Sequence, residues 1–308
     1  MPKFAPEFVP DPANFANYST ETAADTQKHV EFRYHSSRMR IDHDNVIGIV
    51  QEAAATRIMP LWQNLDDHQV MEKGRGDVVT AADRSCEAFL SDALGKLLPR
   101  SLVVGEESFA ADPEVITALD SERPVWVIDP LDGTRNFARQ AGPFAVMVCL
   151  TLRGETLAAW IYDPVANTLL SAEQGGGTWL DGKKLTLEDR SKPLDEMHGA
   201  VMVRYLPEDM MDHALAARQQ FAGAVGNGCA AYDYRQLVTG AVDFLFYYRT
   251  LVWDHAPGVL IVEEAGGYAR RYDGEAYRPE GDAIGLICTA GPESWLRVRN
   301  TLLAANLH

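Results

Sequence analysis

The sequence predicts a layered α/β fold with mixed sheets, and three observations carry that reading. Two long stretches with a helical apolar period open the folded part. Short apolar runs ending in acidic or glycine-containing turns follow them. Strand-like and helix-like segments then alternate to the C-terminus.

Residues 1–40 show no sustained period and are rich in proline and polar side chains. They read as an N-terminal extension, flexible or laid across the surface. Met39 is followed at once by a helix pattern, so a chain starting there is expected to hold the whole folded unit. In the first helix, expected over 44–65, Val46, Val50, Ala53, Ala54, Ile58, Leu61 and Leu65 share one face. In the second, over 81–98, the stripe is Ala82, Cys86, Phe89, Leu90, Ala93, Leu94 and Leu97, and Pro99 closes it.

Strands are expected at 102–104 and 125–128, and a hairpin over 144–152 and 156–162 around Arg153-Gly154-Glu155. Asp181-Gly182 marks another tight turn. Beyond it, strands are expected at 200–204, 222–225, 242–248 and 283–289, and helices at 209–219, 231–239, 254–265 and 293–306. Asp254 is the candidate N-cap of its helix, with Pro257 in the first turn and Gly266-Gly267 after the end. The polar stretch 188–196 divides an N-terminal part, 41–190, from a C-terminal part, 191–308. There are no internal repeats.

The chain has 308 residues and a formal net charge of -16. Nucleic-acid binding needs clustered Lys and Arg, so this balance argues against it. No apolar run is long enough to span a bilayer and the N-terminus lacks signal-peptide order, which makes cytoplasmic residence the expectation. Cys86, Cys149, Cys229 and Cys288 are far apart and are expected to be buried reduced thiols rather than zinc ligands or disulfides.

Acidic residues gather where strands stop. Glu106 and Glu107 follow one strand, and Asp129 and Asp132 follow another. Asp77 precedes the second helix, and Asp254 opens a later one. Strand ends of α/β proteins converge on one crevice. Carboxylates meeting there repel one another unless cations neutralise them, and oxygen ligands select Mg2+, Mn2+ or Ca2+ over zinc. Two such ions suit in-line phosphoryl displacement. If a helix starts after Asp132-Gly133-Thr134, its N–H groups form a seat for phosphate. Taken singly, each piece has a structural reading. Thr80 and Asp83 fit a capping box, Asp254 a cap, Glu106-Glu107 a solvated loop, and Asp129-Pro130 and Asp132-Gly133 ordinary turns. Their joint occurrence, in this order, favours the functional reading.

The set Asp77-Val78-Val79-Thr80-x-x-Asp83, Gly105-Glu106-Glu107-Ser108, Asp129-Pro130-Leu131-Asp132-Gly133-Thr134-Arg135-Asn136-Phe137 and Trp253-Asp254-His255-Ala256-Pro257-Gly258 resembles the signature of the inositol monophosphatase family, and Val262-Glu263-Glu264-Ala265-Gly266-Gly267 continues it. The resemblance covers about residue 41 to the C-terminus. It implies a stacked αβαβα sandwich of the inositol monophosphatase and fructose-1,6-bisphosphatase type, commonly a homodimer and often inhibited by Li+. It implies a Mg2+-dependent phosphomonoesterase with two or three ions. Glu106, Asp129 and the Leu131 carbonyl would hold one ion. Asp129, Asp132 and Asp254 would hold a second, and a weaker third would sit near Glu106 and Asp77. Asp77 and Thr134 would activate the attacking water. The backbone at Asp132, Gly133 and Thr134 would hold the phosphate, and Gly228, Cys229, Ala230 and Tyr247 would meet the rest of a small phosphorylated substrate. Glu107 and Thr80 would support the ligands from behind.

Departures bear on specificity. Pro257 stands where the family usually has alanine. Tyr247 occupies the position where inositol-specific members carry a sugar-binding glutamate, and Cys229 replaces a hydroxyl residue, so myo-inositol specificity is in question. An inositol phosphate, a sugar phosphate, histidinol phosphate or a nucleotide 3′-phosphate all fit the class. Asn136 resembles the monophosphatase branch more than the nucleotide branch. A sugar bisphosphate would need a second phosphate site, for which Arg204, Arg235 and Arg249 are available, although surface arginine is the plainer reading of each. A catalytically silent regulatory protein on the same fold is the alternative from another class.

Overall fold

The computed structural model describes residues 41–62, 64, 77–280 and 284–303, and the backbone of 32–34, 37–39 and 70–74; for 77–79 too the description is of backbone alone. A short hairpin, β1 (Phe32–Tyr34) and β2 (Ser37–Met39), precedes helix α1 (His43–Ala53), which widens into a π-turn over Ala54–Ile58. A second hairpin, β3 (Val70–Gly74) and β4 (Asp77–Thr80), leads into α2 (Ala81–Leu97). Next come β5 (Leu102–Gly105), α3 (Glu106–Ala111), β6 (Val125–Asp132) and α4 (Thr134–Ala138). A meander follows: β7 (Ala145–Leu152), β8 (Glu155–Asp163), β9 (Thr168–Glu173), β10 (Gly177–Leu180) and β11 (Lys183–Leu185). The second half runs β12 (His198–Val201), α5 (Glu208–Ala217), β13 (Gly223–Ala224), α6 (Ala230–Val238), β14 (Phe244–Arg249), α7 (Val252–Glu264), β15 (Tyr268–Arg270), β16 (Ile284–Thr289) and α8 (Pro292–Leu302).

β5 to β11 form one seven-stranded sheet in sequence order, antiparallel except for the parallel pair β5–β6. The second sheet has five strands in the order β13-β12-β14-β16-β15, with β12 parallel to both β13 and β14. Strand alternation sorts the side chains into three cores. Trp126, Ile128, Val148 and Trp160 face α1 and α2. Val127, Met147, Cys149 and Ile161 face the opposite way, onto α6 and α7. Those two helices are shared with Leu245, Tyr247, Leu286 and Cys288 of the second sheet. Phe244, Phe246 and Ile287 pack outward on α5 and α8. The result is five layers, αβαβα, with α6 and α7 sandwiched between the sheets. The seven residues Ala256–Val262 of α7 are all buried, as a helix covered on both sides requires.

The two tight turns follow their sequences. Arg153-Gly154 and Asp181-Gly182 both hold consecutive positive φ angles (55° and 74°, 49° and 76°), the conformation of a type I′ hairpin turn. The four cysteines are buried and free. No helix among the described residues is long and apolar enough to cross a membrane.

Several expectations are corrected. α1 ends at Ala53 and its last turns widen, and Leu65 lies outside the described residues. Strands β9 to β11 lack a period strong enough to read, because β10 and β11 have few buried side chains. Residues 32–39 include a paired hairpin, with Phe32 opposite Met39, so a chain starting at Met39 would lose β1 and all of β2 except its last residue. Glu106 and Glu107 open a short helix instead of lying in a loop. α7 starts at Val252 after Leu251, which places Asp254 inside its first turn and not at the cap. Pro257 therefore sits in the helix interior, and its missing N–H deprives the Trp253 carbonyl of its usual intrahelical donor.

Gly258 is where α7 meets α6 most closely, since a Cβ there would collide with the ring of Tyr234. Gly258→Ala should therefore destabilise the fold by about 1–3 kcal/mol, the usual cost of overpacking. Urea unfolding checks this, and an unchanged midpoint would mean that the two helices have slack.

Candidate active site

One cleft of about 560 Å³ opens where the two sheets and the central helices meet. Its lining includes Glu106, Asp129, Leu131, Asp132 and Asp254. The substrate-loop residues expected from the sequence, Gly228, Cys229 and Ala230, line it too, as do Gly133, Thr134 and Tyr247.

Local structure explains this convergence. β6 would ordinarily send Asp129 and Asp132 to opposite faces. Its pairing with β7 steps from Asp129↔Met147 to Asp132↔Ala145, so an extra residue bulges out of β6. The bulge re-aims the strand, and Pro130 is tolerated there because a bulge leaves a ladder hydrogen bond unmade. Gly133 then turns the chain with φ 86°. A Cβ at Gly133 would lie 2.7 Å from the Pro143 carbonyl oxygen and 3.2 Å from Cys229 Cβ, so any larger residue meets strain and collision together. Helix α4 starts directly after it. On the neighbouring parallel strand β5, the chain turns into α3 at Glu106. Two backbone N–H groups of α3, from Glu107 and Ser108, donate to the buried Glu87 of α2, each at 2.7 Å. A side chain on Gly105 would strike that carboxylate, so the glycine and Glu87 together fix where Glu106 stands.

Asp129 is 1% exposed. Burial, and then the charges of Glu106, Asp132 and Asp254, push its carboxyl well above the usual range; only the hydrogen bond from the Leu131 N–H (2.9 Å) opposes them. Burial also raises Asp132, whose Oδ2 accepts from the Ala231 N–H at 2.7 Å and from the Cys229 thiol at 3.1 Å. Four carboxylates and a backbone carbonyl lining one cleft form an all-oxygen donor set, the chemistry of a hard divalent cation. Among the described residues no three His, Cys, Asp or Glu side chains already surround a single ion position. The donors are therefore present without a pre-closed cage.

The Thr134 hydroxyl lies 3.0 Å from Asp83 Oδ1 and 2.9 Å from the Leu131 carbonyl. The expected partner was Asp77; its side chain is outside the described residues, and the described carboxylate beside Thr134 is Asp83. Asp83 does two jobs at once. Its Oδ2 closes the capping box by accepting from the Thr80 N–H (2.8 Å) and hydroxyl (2.5 Å), and its Oδ1 faces Thr134. Thr80 is thus linked to Thr134 through Asp83. Burial pushes Asp83 up to about 6.

At the other end of the cleft Tyr247 is buried, and its hydroxyl donates to Asp233 Oδ2 at 3.2 Å. Asp233 Oδ1 accepts from Asn227 Nδ2 at 2.6 Å, tying the 226–229 loop to α6 and β14. His255 hydrogen bonds the Tyr234 hydroxyl at 2.9 Å and the backbone of Arg249, and burial holds it near 3, hence neutral. Arg235 turns away to Asp163 and Thr168, whereas Arg204 and Arg249 line the cleft. Sequence reasoning missed Glu87 and Asp233 as site residues. The available signal was an acidic residue inside an otherwise apolar helical stripe, beside Cys86 and Leu90 or between Ala230 and Leu237.

This architecture defines a five-layer αβαβα protein with an all-oxygen carboxylate cleft, and comparison with known proteins gives its family. The chain belongs to the inositol monophosphatase family, whose model matches residues 42–307. It is 34% identical over 215 residues to the inositol-1-monophosphatase of Mesorhizobium japonicum, covering 69% of this chain and 77% of that one. It is 32% identical over 228 residues to the Nus factor SuhB of Vibrio cholerae, covering 72% and 82%. Among solved structures it resembles the IMPase of Thermotoga maritima (TM-score 0.73, 24% identity, 85% of this chain and 97% of that one). Inositol monophosphatase II of Staphylococcus aureus shares the fold as well (TM-score 0.72, 23% identity, 86% and 94%).

Burial also pushes Asp233 up to about 6, against the lowering hydrogen bonds from Asn227. As pH falls, the folded chain takes up this proton before the unfolded chain does. Ionised Asp233 thus costs stability above its folded pKa, and the cost is relieved as pH falls from there towards the unperturbed value of about 4. Asp233→Asn removes the titration. The melting temperature of the variant relative to wild type, in chelator, should therefore be higher at about pH 7.5 than at about pH 4.5. A difference that ignores pH would show that Asp233 does not titrate in this window.

Proposed function

We propose that the protein is a divalent-cation-dependent phosphomonoesterase acting on a small phosphorylated metabolite. The observation that carries this is the joining, in one cleft, of an oxygen-only donor set with the Thr134 hydroxyl, which the buried carboxylate of Asp83 backs. Glu106, Asp129, Asp132, Asp254 and the Leu131 carbonyl are the residues that would hold cations, with Mg2+ the first choice and two or three ions the expected number. Bound there, a divalent cation lowers the pKa of water and offsets charge on phosphoryl oxygens.

The chain's own residues do the rest. The Thr134 hydroxyl has one proton. Donated to Asp83 Oδ1, it leaves the oxygen lone pairs to accept from an incoming water, and Asp83 takes up the proton that is passed on. A carboxyl held near 6 is well matched to that task at neutral pH. The turn at Gly133 and the start of α4 at Thr134 put backbone N–H groups beside the carboxylate cleft, where they would meet a phosphoryl group, and the Gly133 N–H already hydrogen bonds the Asp132 carboxylate. The thiol of Cys229 donates to Asp132 and does not reach towards the leaving group, so this cysteine orients a ligand.

At the leaving-group end, the Tyr247 hydroxyl is spent on Asp233, which leaves an aromatic wall where a polyol would need an acceptor. Myo-inositol 1-phosphate is therefore not expected to be the best substrate. The relatives named Nus factor SuhB make a regulatory role the second reading; against it stands a cleft lined by Glu106, Asp129, Leu131, Asp132 and Asp254 together.

Phosphate release from a panel of esters, with Mg2+ and with chelator, tests the proposal. Turnover should require the cation, and undiminished hydrolysis in excess chelator would sink it. Thr134→Ala and Asp83→Asn should each lower kcat by about 100-fold, and the double variant by no more, because the two act as a unit. Additive losses would separate them. Specificity has its own check. Tyr247→Glu alone would set a carboxylate against Asp233. Paired with Asp233→Asn it gains a hydrogen-bond donor instead, and should act on myo-inositol 1-phosphate about tenfold better than the single variant. No difference between them would remove Tyr247 from the leaving-group contact.

A further inference from the structure

Two of the segments that line the cleft lie far apart in sequence. One runs from Asp132 to Asn136 and carries the turn at Gly133 and the start of α4. The other is the loop 226–229 ahead of α6. Asn136 joins them. Its Nδ2 donates to the Pro143 carbonyl at 2.8 Å and to the Asn227 carbonyl, 91 residues away in sequence, at 3.1 Å. Both neighbours can only accept, so an amide nitrogen is required there, and its two hydrogens are both used.

The loop is held from its other side as well. Asn227 Nδ2 donates to Asp233 Oδ1 at 2.6 Å and to Gln236 Oε1 at 2.9 Å, both on α6. Gly228 then turns the chain with φ 71°, and a Cβ there would lie 3.8 Å from Asn136 Oδ1, so the loop backbone passes close by the amide. The turn brings the Cys229 thiol and the Ala231 N–H onto Asp132. The loop and the residues just after it are thus tied to one short segment at two points, Asp132 and Asn136. The two ties differ in kind. Asp132 is among the carboxylates proposed to hold cations, so a loop anchored there alone would pull on a ligand whenever it shifted. Asn136 places the loop against α4 through a neutral amide and engages none of those carboxylates.

We infer that Asn136 is a positioning residue for the reaction: it sets the 226–229 loop, and through it the leaving group, against the phosphoryl end of the cleft. This rests on the phosphomonoesterase reading. An ester gripped at both ends turns over only when the two grips agree, and a displacement of about 1 Å can slow it about 100-fold. A larger leaving group should therefore feel the loss of Asn136. A methyl group, which gives the loop nothing to hold, should feel it far less.

Two measurements on the full chain test this. Hydrogen–deuterium exchange in chelator needs no turnover. Asn136→Ala should speed exchange of residues 226–231 about tenfold while β7 and β8 stay as protected as in wild type. Asn136→Asp, equal in size, turns an acceptor towards two carbonyls and should loosen the loop at least as much. Asn136→Gln keeps both N–H groups and should restore part of the protection. Should Asn136→Ala unfold, Asn136→Ser, which keeps one donor, takes its place. Kinetics in Mg2+ then compare methyl phosphate with glycerol 2-phosphate, phenyl phosphate and myo-inositol 1-phosphate. For whichever larger ester wild type prefers, Asn136→Ala should lower kcat/KM about tenfold more than for methyl phosphate, and Asn136→Gln should recover part of the difference. Equal losses on every ester, an undisturbed 226–231 segment, or an Asn136→Asp variant that behaves as wild type would overturn the inference and leave the phosphatase reading standing. If wild type hydrolyses no ester, the parent reading falls and the positioning role falls with it, whatever the exchange shows.

Discussion

Like-charge repulsion around Asp129 is the constraint on which the rest of the structure depends. A carboxylate shielded from water and facing Glu106, Asp132 and Asp254 is held against its own electrostatics. Nothing about such a cluster helps a chain to fold. The surrounding elements must hold it, and they do so with rigid parts. These are a bulge at Pro130, a left-handed glycine at Gly133, and helix starts anchored by Glu87 and Asp83. Each device fixes backbone position, so that the carboxylates need not choose their own places.

The five-layer stack explains why the donors come from so far apart in sequence. Glu106, Asp129 and Asp132 belong to the first sheet and its connections. Asp254 belongs to α7, which both sheets cover. The leaving-group end is built almost wholly from the second half, by β14, α6 and the turn after β12. The carboxylates proposed to hold cations and the residues proposed to meet the leaving group thus come mostly from different layers. They meet through three links: the Cys229 thiol and the Ala231 N–H on Asp132, and the Asn136 side-chain amide on the Asn227 carbonyl. A change in β14 or in the turn after β12 can alter that end of the cleft without moving the carboxylates of the first sheet.

Much of this was legible in the sequence because it depends on local pattern. Apolar periods revealed α1 and α2, turn pairs such as Arg153-Gly154 marked the hairpins, and acidic residues at strand ends marked the cleft. What escaped depends on contacts between distant segments. Asp83 was legible as a capping residue, but its second oxygen reaches Thr134, 51 residues away. Asp254 and Pro257 were misplaced by one turn, because the start of α7 is set by its packing between the sheets and not by a side-chain cap. The partner of Tyr247 could not be read at all, since Asp233 looks like any acidic residue until α6 is laid against β14.

If the repulsion around Asp129 is what cations relieve, stability should report it directly. Thermal unfolding of wild type and Asp129→Asn, in chelator and in Mg2+, is the measurement. The account predicts that without cation the variant melts no lower than wild type, because one of the opposed charges is gone. It predicts that Mg2+ raises the wild-type melting temperature and leaves the variant nearly unmoved. A wild-type melting temperature indifferent to Mg2+, or the same rise in both proteins, would contradict it.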